Sequence, residues 1–417
     1  MNFRKSDLAS FCLGLSNFIY FKSFGQIILL EVIAILLFML IFIFAKNGGP
    51  ILKVEGRMFP KKFYYLGFIW LIGQFISDSI NHSDPTDTKK LIAQIVVILV
   101  LVYWAQNWFQ SGESRLTWFI LGYCFSVIPN YFLTPSIYTL VEPWKFCFGP
   151  GFTLLVFLWF SKSRISLPLQ MATILPLVYF DILVGSRALA LVTIISWASS
   201  LLSRLPSENK SRLVISIVGL AVVAMLASNT YHNLALSGHL GTSQQAKAIQ
   251  QFGSGPLILV ARSELLFELS GIRRNLLFGT GSNPNISTDI VNEVDRFNSR
   301  IGVASENTAA FLYAQSTGKI PQHSLLFSFW MFGGIPAALF WIYLFFILSK
   351  WTLQTRIQNS SYFYLSRFLY IGFVWNFLFS PLGAGQRVLL ALTIATVFRD
   401  YSDSRTHNPS SDLREIY

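Results

Sequence analysis

Charged side chains are scarce in this chain. Asp, Glu, Lys and Arg make up 12% of its 417 residues, about half the share usual in soluble domains. Hydrophobic residues make up 53%, with 39 Phe and 11 Trp among them. So few polar side chains cannot coat a globule of this size, which excludes soluble nucleotide-binding enzymes and disordered scaffolds alike. Cysteine is also sparse. Cys12, Cys124 and Cys147 form an odd, scattered set without CxxC spacing, which argues against a disulfide framework or a thiolate zinc site and leaves them as packing residues. The chain has no Walker loop, GxSxG, HExxH or zinc-spaced HxxxH. It has no DxD pair for a divalent metal, and the nearest approximation, Glu293-Val294-Asp295, reads as a solvated helix face. Nothing in the sequence calls for a metal or another cofactor. Internal repeats, low-complexity tracts and Gly/Ser linkers are missing too.

What remains is an integral membrane protein. Apolar runs of about twenty residues read as transmembrane helices, here at 8–22, 24–45, 62–81, 90–109, 115–133, 147–161, 166–184, 187–204, 212–230, 323–349, 362–381 and 386–399. The expected fold is therefore all-α and polytopic, with about twelve membrane helices. The net charge of +12 would suggest nucleic acid in a soluble protein, but in a polytopic one basic residues accumulate on the cytoplasmic side. Of the 32 Lys and Arg residues, the set running from Arg4 and Lys5 through Lys61, Arg115, Lys162, Arg367 and Arg399 falls on one side. Lys22, Lys89, Lys90, Lys145, Arg187 and Arg387 fall on the other. Both termini are then cytoplasmic. Arg4-Lys5 before an apolar stretch imitates a signal peptide, but no small-residue cleavage site follows, so that stretch reads as the first span. The chain divides into about nine helices in 1–229, a long extracytoplasmic loop in 230–322, about three helices in 323–399, and a polar tail in 400–417 that reads as disordered.

A loop of that length needs a job. Glycines punctuate its start, Gly279-Thr280-Gly281 marks its middle, and Asp289 to Arg300 and Ser305 to Ser316 read as short helices. If Leu257 to Asn275 is a helix, Arg262 and Arg273 lie within about 20° of each other on a stripe shared with leucines. Glu264 and Glu268 then point away, and Gly271 is a candidate early stop. Two readings stay open for the arginines: ligands for an anion near the lipid boundary, or snorkelling to lipid phosphates. Arg187 follows Gly185-Ser186 at the mouth of a span. An arginine there marks a substrate or ion path or merely sets orientation, with Asp181 as a candidate partner. His323 stands where the loop re-enters the membrane, just after Pro321, and imidazole suits proton abstraction near neutral pH. His82, His232 and His239 compete with it, His232 most seriously.

Three segments, in this order, resemble the O-antigen ligase/polymerase family of bacterial membrane glycosyltransferases. They are GSRALALV (185–192), ARSELLFELSGIRRNLLFGTGSN (261–283) and PQHSLLFSFWMFGGIPAALFW (321–341). The resemblance covers 185–345, and the rest by helix layout only. It implies a GT-C-like bundle with a periplasmic loop in the bacterial inner membrane. It also implies transfer or polymerisation of a glycan from undecaprenyl diphosphate to an acceptor hydroxyl, with inversion and without metal. By position, Arg187 and Arg262 match the family arginines, Gly279 and Gly281 the turn, and His323 the histidine that serves as base; Arg273 is added from helix geometry. Ser324 replaces a common asparagine, and Leu277-Phe278 stands where proline is frequent. The implied partners are the lipid-linked glycan, a growing glycan or lipid A-core as acceptor, membrane lipid, a chain-length regulator and a flippase, but no nucleic acid. A transporter or flippase of lipid-linked glycans is the alternative, and a non-catalytic envelope scaffold a third possibility.

Overall fold

The computed structural model describes residues 4–21, 27–46, 60–110, 112–163, 165–203, 230–231, 233–242, 245, 249, 263–300, 305, 308–355 and 360–406. Helices account for nearly all of it. In chain order they are α1 Lys5–Leu15, α2 Leu29–Lys46, α3 Lys61–Ile80, α4 Pro85–Gln110, α5 Glu113–Phe125, α6 Val127–Leu133, α7 Ile137–Val141 and α8 Gly149–Lys162. Then follow α9 Leu167–Leu183, α10 Arg187–Leu202, α11 Glu264–Arg274, α12 Thr288–Arg300, α13 Ala309–Thr317, α14 Leu325–Gln354, α15 Phe363–Phe379 and α16 Ala384–Thr406. Described strand is limited to a two-residue antiparallel pair, β1 Tyr20–Phe21 with β2 Ile27–Ile28, and an isolated bridge from Asn285 to Lys319.

The fold is all-α, and among the described residues four helices are long and apolar enough to cross a membrane. They are Pro85–Gln110, Glu113–Leu133, Trp144–Lys162 and Leu325–Gln354, of 26, 21, 19 and 30 residues, against the roughly twenty that a bilayer requires. Shorter apolar helices, among them α9, α10 and α15, stand beside them. Twelve crossings are more than these helices establish. The stretch expected as a first span, 8–22, is α-helical only to Leu15 and then tightens into a 3-10 turn at Ser16–Phe18, where the Ser16 hydroxyl donates to Leu13 O and the Asn17 amide to Gly14 O. Such local side-chain bonds compete with the helical ladder. The sixth helix starts earlier than expected, through a π turn at Trp144–Phe148. The last runs on to Thr406 instead of giving way to a tail at 400, and Asp400 is fully buried within it. The expected span at 212–230 lies outside the described residues.

Small residues set the closest helix contacts. A Cβ on Gly14 of α1 would sit 2.1 Å from Phe119 O of α5, and one on Gly122 would sit 2.0 Å from Phe11 O. Backbones that approach this closely are typical of helices associating without a hydrophobic driving force. α3 and α14 interlock through Trp70, Phe329 and Trp341, with ring centroids 5.0–5.8 Å apart.

Polar bonds sort the helix ends into two groups. At one end Ser114 reaches Asp7, Lys162 pairs with Glu113, Tyr362 donates to Glu113 O, Ser161 accepts from Leu365 N, and Arg399 donates to Phe109 O. At the other, Trp144 meets Asp181, Asn283 meets Asp87, and Ser324 donates to Phe377 O. The α9–α10 turn bearing Arg187 and the start of α14 bearing His323 therefore lie at the same end of the bundle.

Also towards that end, Arg387 at the start of α16 grips Glu31 at the start of α2, at 2.6 and 2.9 Å. The two side chains are 2% and 0% exposed, and Glu31 also accepts from Ile28 N. Removing one partner of a buried pair strands a charge, at a cost of about 3–5 kcal/mol, whereas replacing both by apolar groups is often neutral. We therefore expect Arg387→Met to lower the thermal midpoint in detergent sharply, and Arg387→Met with Glu31→Leu to recover most of the loss. A double-mutant cycle of melting temperatures checks this, and additive losses would contradict it.

Candidate functional site

Of the candidate residues, Gly279, Gly281 and His323 lie where the long loop meets α3 and α14. α14 is broken at Gly334, where φ is 67° and ψ −155°, and Pro336 follows two residues later. Proline has no N–H for the carbonyl four residues earlier, so Phe332 O is released. Ile335 N turns to Leu277 O of the loop at 3.1 Å, which releases Met331 O as well.

The Gly279–Ser282 turn satisfies both carbonyls. Thr280 donates to Met331 O from its N–H at 2.6 Å and from its hydroxyl at 3.0 Å. Gly281 N and the Ser77 hydroxyl donate to Phe332 O at 3.2 and 2.6 Å. Asp78 at the end of α3 completes the clasp, accepting from Ser282 N at 2.6 Å and from its hydroxyl at 2.8 Å. Gln74 bridges both groups, and Asn81 donates to Gly279 O. Gly279 has φ 76°, and a Cβ there would fall 2.4 Å from Phe332 O. Glycine at Gly279 is thus required by a close backbone approach at positive φ.

A second joint lies one helix earlier in the loop. Glu268 of α11 is fully buried, and its Oε1 accepts from His323 N at 2.6 Å and from the Ser328 hydroxyl. Glu268 does point away from Arg273, but the side of the helix it occupies is the buried one. α11 starts at Glu264 and buries Phe267, Glu268, Gly271 and Ile272, so its apolar face includes the carboxylate and not the exposed Leu269. Gly271 does not end the helix but lets it lie against Met331. Burial pushes the Glu268 carboxyl up to about 8, against the opposing hydrogen bonds from Ser328 and His323. The nearby Glu264 carboxylate adds to the rise.

His323 is half-buried at this joint. The Arg187 guanidinium lies over the ring of Tyr231, 4.7 Å from its centroid. The proposed Asp181–Arg187 pairing is not what forms: Asp181 instead accepts from the Trp144 indole at 2.6 Å. Asp181 Oδ2 and the Ser186 hydroxyl, both buried, have no hydrogen-bond partner among the described residues. Arg273 is 81% exposed and reaches Glu293 of α12 at 2.9 Å, and Arg274 donates to Ser287. Of the helix expected over 257–275, Glu264–Arg274 is described. Arg262 and His232 lie outside the described residues. His82 and His239 are exposed. Among the described residues no group of three or more His, Cys, Asp or Glu is arranged to hold a metal.

Two residues of this seam escaped sequence reasoning. Asp78 was legible only as a carboxylate near a span end. Glu268 carried a usable signal, since its spacing from Gly271 and Ile272 puts it on the face they bury. A scan of protein-family models and a search of curated proteins both give no match.

Two outcomes are expected. Asp78→Ala should leave buried Ser282 donors unmatched, at about 1–3 kcal/mol, with lower thermal stability and faster amide exchange at 279–282. Glu268 titrates near 4.5 when unfolded and at about 8 when folded. The folded state then holds the proton more tightly, so stability should be full below about 4.5, fall as pH rises towards about 8, and level off above. Glu268→Gln should flatten that part of the profile in pH-dependent melting.

Proposed function

We propose that this chain is a membrane glycosyltransferase of the O-antigen ligase/polymerase type. It moves or polymerises a glycan from undecaprenyl diphosphate onto an acceptor hydroxyl at the extracytoplasmic face of a bacterial inner membrane. The observation that supports the reading is that Arg187 and His323 stand at the same end of an apolar bundle, with the loop closing over α3 and α14 beside His323.

The chemistry suits these residue types. A lipid diphosphate is already a good leaving group, so no paired carboxylates are needed to protonate it, unlike glycoside hydrolysis. Negative charge developing on the diphosphate calls for cations in a water-poor site, and arginine supplies a planar, bidentate fork. Arg187 and Arg262 take that role, and His323 removes the acceptor proton. Attack from the opposite face inverts the anomeric centre. Both termini are cytoplasmic in this arrangement, and lipid A-core or a growing glycan serves as acceptor. A chain-length regulator and a flippase would work beside the enzyme.

A transporter or flippase of lipid-linked glycans is the second reading. The buried Arg387–Glu31 pair favours it, because intramembrane charges often line transport paths. Reconstituted protein given carrier-linked repeat units and lipid A-core separates the two, by mass analysis of products. Longer glycans on the carrier mean polymerase and glycan on lipid A-core means ligase, whereas an unchanged mixture removes the transferase reading. His323→Ala should reduce turnover by about 10²–10⁴-fold while carrier lipid still binds. Arg187→Lys and Arg262→Lys should also impair turnover, because an ammonium cannot reproduce the fork; normal rates in both would exclude bidentate diphosphate binding.

A further inference from the structure

We propose that Glu268 is a positioning residue for His323: its carboxyl holds the main chain at His323-Ser324 and so fixes where the imidazole stands at the mouth of α14. The proposal rests on the reading of His323 as the base.

The geometry is specific. The first N–H groups of a helix have no acceptor within the helix. Ser324, the residue just before α14, meets part of that need by accepting from Phe327 N, and its hydroxyl ties the same point to Phe377 O at 2.8 Å. His323 precedes Ser324, so its own N–H lies outside the helical ladder, and Glu268 takes it at 2.6 Å. The same Oε1 accepts from Ser328, one turn into α14. One buried oxygen thus bridges the residue before the helix and the first turn within it.

Glu268 is itself firmly placed. Its helix lies against Met331 at Gly271, where an added Cβ would come within 2.6 Å of the sulfur. A few residues further on, the chain is held by the clasp at Asp78. The loop therefore grips α14 at its start and at its break, and His323 lies at the first grip.

The carboxyl acts here as an acceptor. Oε1 makes the bonds to His323 and Ser328, while Oε2 has no hydrogen-bond partner among the described residues. Glu268 makes no ion pair among the described residues. An amide oxygen can accept the same two bonds, so glutamine should replace glutamate, and alanine should not.

Wild type, Glu268→Gln, Glu268→Ala and His323→Ala, in lipid nanodiscs, would be compared by amide exchange across 321–330 and by turnover of carrier-linked glycan. In Glu268→Ala, kcat should fall at least about tenfold with KM for the carrier within about threefold, since small misplacements of a reacting group are costly. The amides at 323–327 should exchange at least about tenfold faster. Glu268→Gln should stay within about threefold of wild type in each measure. Unchanged exchange in Glu268→Ala overturns the proposal whatever the activity. Equal loss in the glutamine and alanine variants also overturns it, in favour of a proton-carrying carboxyl. Should the alanine variant not fold, Glu268→Asp, which draws the acceptor back by one methylene, is judged by the same criteria. If wild type makes no product, or His323→Ala is fully active, the transferase or base reading fails; the exchange result still decides whether Glu268 holds this entry.

Discussion

A broken helix needs somewhere to put its released backbone groups, and in this protein the rest of the seam follows from that need. Pro336 and Gly334 interrupt α14 and leave Met331 O and Phe332 O without helical donors. Irregular backbone is tolerated at membrane depth only where protein re-satisfies it. The Gly279–Ser282 turn does so, and Asp78 and Ser77 of α3 hold that turn in place. A loop distant in sequence thereby becomes an integral part of the bundle. The requirement also explains the composition of the turn, because side chains at Gly279 and Gly334 would meet backbone atoms within 2.4 Å.

Buried charge is handled by two different means. Arg387 and Glu31 neutralise each other through a bidentate contact closed to solvent. Glu268 has no cationic partner among the described residues, and burial drives it towards the neutral form. The first arrangement ties the start of the last helix to the start of α2, and the second ties the loop to the start of α14. Both serve geometry, since fixed ends are what hold polar groups steady around a site. The exposed Arg273–Glu293 contact is of another kind, because surface pairs contribute little to stability.

The apolar runs and the positive-charge bias were legible in the sequence, as were the helices at α12 and α13, because each depends on local pattern alone. Element ends were less so. α1 stops at Leu15 because Ser16 and Asn17 turn their side chains back on the preceding carbonyls, an effect that hydropathy does not register. α16 runs past Arg399 because burial of Asp400 against its neighbours outweighs the polar appearance of DYSDS. The burial of Glu268 was missed because the leucines of α11 were assumed to mark its buried face, whereas that face includes Gly271, where α11 lies against Met331 of α14.

By itself the sequence determined that this chain is helical, membrane-compatible and poor in charged side chains. These properties follow from composition and from periodicities a few residues long. Tertiary structure decided which carboxylates are buried, that Asp181 answers to Trp144, that Gly279 and Gly281 lie against α3 and α14, and that Glu268 grips the residue before α14. Each of those outcomes depends on which groups a distant segment leaves unsatisfied, and a missing hydrogen-bond partner has no local signature in the chain that lacks it.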